Sequence, residues 1–151
     1  MKHMRIYLDV CCLSRPFDDH IQDRVRLESE AVLAILNHSQ TKDWILLNSE
    51  VIDIETSKIP DDDKGQKVSI LSSLLKHYIF IDEEAEKRAI ELEKIGFKPF
   101  DSLHIACAEK GKAGVLLTTD DGFLNKALQN KNVLKVKVKN PVIWLMEVIG
   151  K

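Results

Sequence analysis

Apolar and polar positions follow one another in blocks along the chain, and the period changes from block to block. Met4 to Asp9, in "MRIYLDV", is a nearly continuous apolar run of the kind found in a buried strand. "LSRPFDDH" reads as a turn punctuated by Pro16. "IQDRVRLESEAVLAILNHS" then repeats at helical spacing. Val25, Val32, Ile35 and Leu36 form one apolar stripe, widened by Leu27, Ala31 and Ala34. "WILLN" predicts a second buried strand, after which Ser49 caps a short helix, "EVIDIETSK", that stops near Pro60. "DDDKGQKVSILSSLLKH" predicts a helix, "YIFI" a strand, and "DEEAEKRAIELEKIG" a helix with an acidic first turn and Gly96 as its stop. "KPFDSLHIACAEKGK" predicts a helix starting near Pro99, "AGVLLTT" a strand and "DDGFLNKAL" a short helix. "VLKVKV" alternates as a half-exposed edge strand does, and "PVIWLMEVI" is a helix opened by Pro141.

Strands that alternate with helices predict an α/β fold, a parallel sheet with helices on both faces. No repeat, low-complexity segment or linker interrupts the pattern, so the expectation is one domain over residues 1–151. No apolar run approaches the ~20 residues that span a bilayer, and "MKHMRIYLDV" has no signal-peptide core. The expected location is cytoplasmic, without a membrane partner. Three cysteines, Cys11, Cys12 and Cys107, match no zinc spacing and are too few and too oddly numbered for a disulfide framework. They read as reduced thiols used as small hydrophobes, with a reactive thiol at Cys11 or Cys12 as the alternative. A net charge of −2 does not mark a nucleic-acid binder, but local lysines or bound cations can still hold a polyanion.

In open α/β sheets, sites form beyond the carboxyl ends of the strands. Asp9 closes the first strand there, and Asp120, with Asp121 beside it, closes "GVLLTT". Glu55 lies two turns into the helix that leaves "WILLN", and Asp101 is in the first turn of "FDSLHIACAE". Singly, Asp101, Asp120 and Glu55 have plain explanations as a dipole partner, an N-cap and a solvated helix residue. Asp9, directly after an apolar strand, requires a partner. Together the four acids repel one another, and a divalent cation is the usual relief. All-oxygen ligands suit Mg²⁺ or Mn²⁺, and such ions suit phosphodiester cleavage.

The order of these motifs resembles the PIN-domain ribonucleases, a family that includes the toxins of many bacterial toxin–antitoxin pairs. The resemblance runs from "IYLDVCCLSRP" to the last strand and rests on Asp9, on "NSEVIDIE" with Glu55, on "DSLHIACA" with Asp101, and on "TTDDGF" with Asp120 and Phe123. It implies a single PIN-like domain with a central parallel five-stranded sheet flanked by helices. It also implies Mg²⁺- or Mn²⁺-dependent hydrolysis of RNA. Asp9, Asp101 and Asp120 would hold metal, and Glu55 would do so directly or through water. Thr118 or Thr119 would orient the attacking water or bind phosphate. A small antitoxin and a homodimer, the latter also suggested by the apolar "VIWLMEVI", are the implied partners besides RNA. The chain departs from the pattern at Asp9-Val10-Cys11-Cys12, where many members carry Asp-Thr-Asn or Asp-x-Ser; a thiol is a weak hydrogen-bond partner.

Four further features stay open on the sequence. Glu50 is a second acid near Glu55 or a dipole partner. His104 shares a helix face with Asp101, as a phosphate-binding group or a half-buried core histidine. Asp121 stands beside Asp120. Lys131, Lys135, Lys137 and Lys139 protect a sheet edge or track an RNA backbone. The competing functions are a PIN-like module that binds RNA or protein without cutting, and an aspartyl phosphatase. The phosphatase needs a second Asp where this chain has Cys11.

Overall fold

The computed structural model describes residues 4–41 and 43–150. Strand β1 (Met4–Leu8) buries Ile6, Tyr7 and Leu8 completely, as its unbroken apolar run requires. Four more strands join it: β2 (Trp44–Ser49), β3 (Lys76–Ile79), β4 (Val115–Leu117) and β5 (Lys137–Lys139). All pair in parallel, in the order β3-β2-β1-β4-β5. The intervening helices are α1 (Val10–Ser14), α2 (Asp23–Thr41), α3 (Glu50–Ser57), α4 (Asp62–Ser72), α5 (Glu83–Lys94), α6 (Pro99–Lys110), α7 (Asp121–Gln129) and α8 (Pro141–Ile149). Among the described residues no helix is long and apolar enough to cross a membrane.

The fold is the expected α/β layering, with four local corrections. The stretch read as a turn from Leu13 onward begins inside α1 and continues as a 3-10 turn, Arg15–Phe17. Asp9 caps α1 by accepting the Cys12 N–H, and that nucleates a helix where Pro16 signals a break. Strand β3 starts at Lys76 rather than Tyr78, because His77, at φ 48°, is an extra residue that bulges the edge strand opposite Leu47 and Asn48. In α2 the buried stripe takes in Glu28 and Ser29, while Leu27 faces outward. Edge strand β5 takes in only the last two residues of "VLKVKV" and runs on to Lys139, with Val136 buried just ahead of it.

Each strand's core contact places the chain after it. Leu8 pairs with Leu117, and the Asp9 N–H continues the ladder by donating to the Leu117 carbonyl at 3.1 Å. The Thr118 N–H likewise donates to the Lys139 carbonyl. Strand β1 and strand β4 therefore end level with one another. Trp144 meets Trp44 at the start of β2 and packs α8 onto the core with Leu145, leaving Ile143 and Met146 exposed.

Candidate functional site

From β1 the chain moves outward to β2, and from β4 it moves outward the other way to β5. The connections diverge between these neighbouring strands, which opens a crevice at their carboxyl ends, the usual ligand position in an open α/β sheet. Asp9 stands at the end of β1, only 2 % exposed. Its Oδ1 accepts the Cys12 N–H at 3.0 Å, and the Thr118 hydroxyl, just past the end of β4, hydrogen-bonds its carboxylate. Burial nevertheless pushes its pKa up to about 6, against the opposing pull of His104, Thr118 and the Cys12 amide.

Asp101 enters from α6, where Pro99 begins the helix and places the carboxylate in the first turn. It accepts no hydrogen bond among the described residues. Burial, followed by the negative charge of Asp9, pushes its pKa up to about 7; Asp120 and Glu55 add to the rise and His104 opposes it. Asp120 caps α7, and its Oδ1 accepts the Gly122 and Phe123 N–H groups at 2.8 and 3.2 Å. Glu55 comes from α3, with Oε1 2.7 Å from His104 Nε2. Cys11 sits among all four: Asp9 foremost, then burial, Glu55, Asp120 and Asp101 raise its pKa and keep it a thiol. All three cysteines are free. The structure thus gathers Asp9, Glu55, Asp101 and Asp120 around one crevice, and among the described residues no arginine or lysine pairs with any of them.

The PIN-domain family model matches residues 6–128, a span that runs from within β1 through most of α7 and holds all four acids. The chain belongs to the PIN-domain family. Its fold is similar to that of VapBC2 from Rickettsia felis, solved with a DNA fragment of its promoter. That match has a TM-score of 0.57 at 17 % identity and covers 91 % of this chain and 98 % of the other. It is similar to VapBC-1 from nontypeable Haemophilus influenzae, with a TM-score of 0.57 at 12 % identity over 91 % and 98 % of the two chains. It also resembles Mycobacterium tuberculosis VapC20, a toxin that cleaves the sarcin–ricin loop, with a TM-score of 0.55 at 12 % identity over 78 % and 92 %. No curated protein sequence matches the chain.

The open features of this PIN domain resolve separately. Glu50 turns away and accepts the Ile81 N–H at 2.9 Å, which fastens α3 to the end of β3. Asp121 faces out of the crevice and takes both terminal nitrogens of Arg24 at 2.8 Å. Thr118 supports Asp9 and also accepts the Asp120 N–H, whereas the Thr119 carbonyl accepts from Arg24. Lys137 and Lys139 lie on the edge strand, and Lys139 pairs with Glu147. His104 is fully buried, with Nδ1 2.7 Å from Tyr7 Oη, which in turn lies 2.7 Å from Ser49 Oγ.

Sequence reasoning passed over Tyr7, Ser49 as more than a cap, and the buried Glu28. Glu28 Oε1 takes Arg15 at 2.8 Å, and Oε2 takes Arg24 at 3.1 Å and Asn140 at 2.7 Å. A glutamate on an apolar helical stripe is the one signal that pointed to it.

As a donor set for a cation, the acids offer only oxygen and, among the described residues, have no lysine or arginine partner, which fits a hard divalent ion. Among the described residues no three His, Cys, Asp or Glu side chains stand already arranged around an ion position. The fit is therefore one of chemistry and charge. Beside Asp101 a groove of about 320 Å³ runs between α6 and α7, lined by Lys98, Asn125, Lys126 and Gln129 over Phe97 and Phe123. None of the ion pairs among the described residues uses Lys98 or Lys126. Lys126 lies across Gly96, whose φ of 110° suits glycine and where a Cβ would come within 2.6 Å of the ammonium.

Proposed function

We propose that this PIN domain, taken as one nuclease unit over residues 1–151, is a divalent-metal-dependent endoribonuclease that hydrolyses RNA phosphodiester bonds. The observation that carries the reading is the convergence of Asp9, Asp101, Asp120 and Glu55 at the β1–β4 crevice with no lysine or arginine to neutralise them. Asp9, Asp101 and Asp120 would hold Mg²⁺ or Mn²⁺, and Glu55 would complete the set directly or through water. The ion would supply charge stabilisation at the phosphate and a water of lowered pKa.

The chain's own groups do the rest. Thr118 holds Asp9 in place, and the caps of α1 and α7 fix Asp9 and Asp120 before any ligand arrives. A polyanion approaching four carboxylates needs compensating charge, and Lys98 and Lys126 supply it in the groove beside Asp101. In the cell the protein would act in the cytoplasm as the toxin of a toxin–antitoxin pair, restrained by a small antitoxin. The likeness to VapBC assemblies supports that role. A homodimer through the exposed apolar face of α8 completes the proposal.

The test is cleavage of total bacterial RNA, ribosomal RNA included, by the wild type and Asp101→Asn. Discrete cuts with Mn²⁺ or Mg²⁺, absent with a chelator and at least 100-fold slower in the variant, are expected. Cutting that persists in the chelator, or in Asp101→Asn at the wild-type rate, would overturn it. RNA bound but uncut under every metal condition would identify a non-cutting binding module instead.

A further inference from the structure

We propose that His104 is a positioning residue that holds Glu55 in the acid cluster, and that Tyr7 and Ser49 fix its orientation. The inference rests on the reading of the four acids as a cation site. His104 is 1 % exposed, so its ring meets no substrate directly. Its contacts instead form a continuous chain through four elements: Ser49 at the end of β2, Tyr7 in β1, His104 in α6 and Glu55 in α3.

The polarity at the Glu55 end follows from the carboxylate. An ionised carboxylate only accepts, so His104 Nε2 carries a hydrogen and donates to Glu55 Oε1. Nδ1 lies 2.7 Å from Tyr7 Oη: a ring with one hydrogen accepts there from the hydroxyl, and an imidazolium donates to it. Tyr7 Oη also shares a hydrogen bond with Ser49 Oγ at 2.7 Å, and Ser49 Oγ accepts the Ile52 N–H at 3.1 Å as the cap of α3. In either protonation state Nε2 donates to Glu55, so the tether does not depend on the charge of the ring.

The consequence falls on Glu55. Its side chain is 30 % exposed and has three rotatable bonds, and the carboxylates of Asp9 and Asp101 repel it. Without a tether it would swing toward solvent. His104 holds Oε1 inward, and Oε2, which makes no hydrogen bond among the described residues, stays available to a cation or its water. A buried partner that orients a ligating carboxylate is commonly worth about 10–100-fold in metal affinity.

The experiment is calorimetric titration of Mn²⁺ into the full chain: wild type, Tyr7→Phe, His104→Leu, His104→Gln and Asp101→Asn. Glutamine places an N–H near the position of Nε2. Wild type is expected to bind, and Asp101→Asn and His104→Leu to bind at least tenfold more weakly. His104→Gln should recover to within about threefold of wild type, and Tyr7→Phe should fall between. Should His104→Leu fail to fold, Tyr7→Phe and His104→Gln decide alone. If Asp101→Asn loses binding but Tyr7→Phe matches wild type, and His104→Leu either matches it or is not rescued by glutamine, the positioning role is overturned and the cation site stands. If the wild type binds no Mn²⁺ at millimolar concentration, both fall together.

Discussion

Asp120 and Asp121 are neighbours in the chain, yet they belong to two carboxylate clusters of opposite design. On the Asp121 side, Glu28, Asp18 and Asp121 meet Arg15, Arg24 and Lys64. Glu28 is 1 % exposed and both its oxygens are bonded to cations or amides. Arg24 reaches from Glu28 to Asp121 and to the Thr119 carbonyl, so this cluster ties α2 to the corner between β4 and α7. On the Asp120 side, Asp9, Asp101, Asp120 and Glu55 receive main-chain N–H groups, a hydroxyl and an imidazole, but no arginine or lysine. Acids that hold the fold together bring their own cations. Among those that lack them, Asp9 and Asp101 have raised pKa values, and the cluster calls for charge from outside.

The largest effect belongs to the balanced cluster. Glu28→Ala leaves Arg15 and Arg24 without their buried partner and should cost about 3 kcal/mol in urea unfolding. Next comes the groove beside Asp101. Lys98→Ala with Lys126→Ala should weaken binding of a fluorescent oligouridylate, in chelator at 0.15 M salt, by about 15-fold. The slope of log K against log salt should fall by about 1.4. Unchanged affinity with an unchanged slope would remove this groove from the RNA path.

Asp101→Asn should do the opposite of Glu28→Ala. With no metal bound it removes a repelled charge and stabilises the chain at pH 8 by about 1–2 kcal/mol, a rise of roughly 3–6 °C in Tm. The pH dependence carries the same sign. Burial raises the folded pKa of Asp9 to about 6 and of Asp101 to about 7 from the ordinary 3.8, so ionising them opposes folding. Stability present below pH ~4 is lost as the pH rises through 6 and 7. The Tm gap between Asp101→Asn and wild type should therefore be small at pH 5 and widen by pH 8, and Mn²⁺ should close it. A gap that does not change with pH would remove the repulsion from the explanation.

The acids were legible in the sequence because local rules place them. A strand's end, an N-cap and a helix's first turn can each be read from a few residues, and Asp9, Asp120 and Asp101 occupy those positions. Glu55 needed only the helical period after Ser49. The groups that orient or neutralise charge were not legible, because their partners are distant. Tyr7 meets Ser49 across 42 residues and His104 across 97, and Glu28 meets Asn140 across 112. Asp121 reads like Asp120 in the sequence, and only Arg24, 97 residues away, separates their roles. The β3 boundary slipped for a similar reason: the bulge at His77 is set by pairing with β2, not by the local pattern.

The most direct test uses that pair of neighbours: Mn²⁺ calorimetry on wild type, Asp120→Asn and Asp121→Asn. A cation site at the β1–β4 crevice predicts at least tenfold weaker binding for Asp120→Asn and wild-type affinity, within about twofold, for Asp121→Asn. Equal losses in the two variants, or no Mn²⁺ binding by the wild type at millimolar concentration, would contradict it.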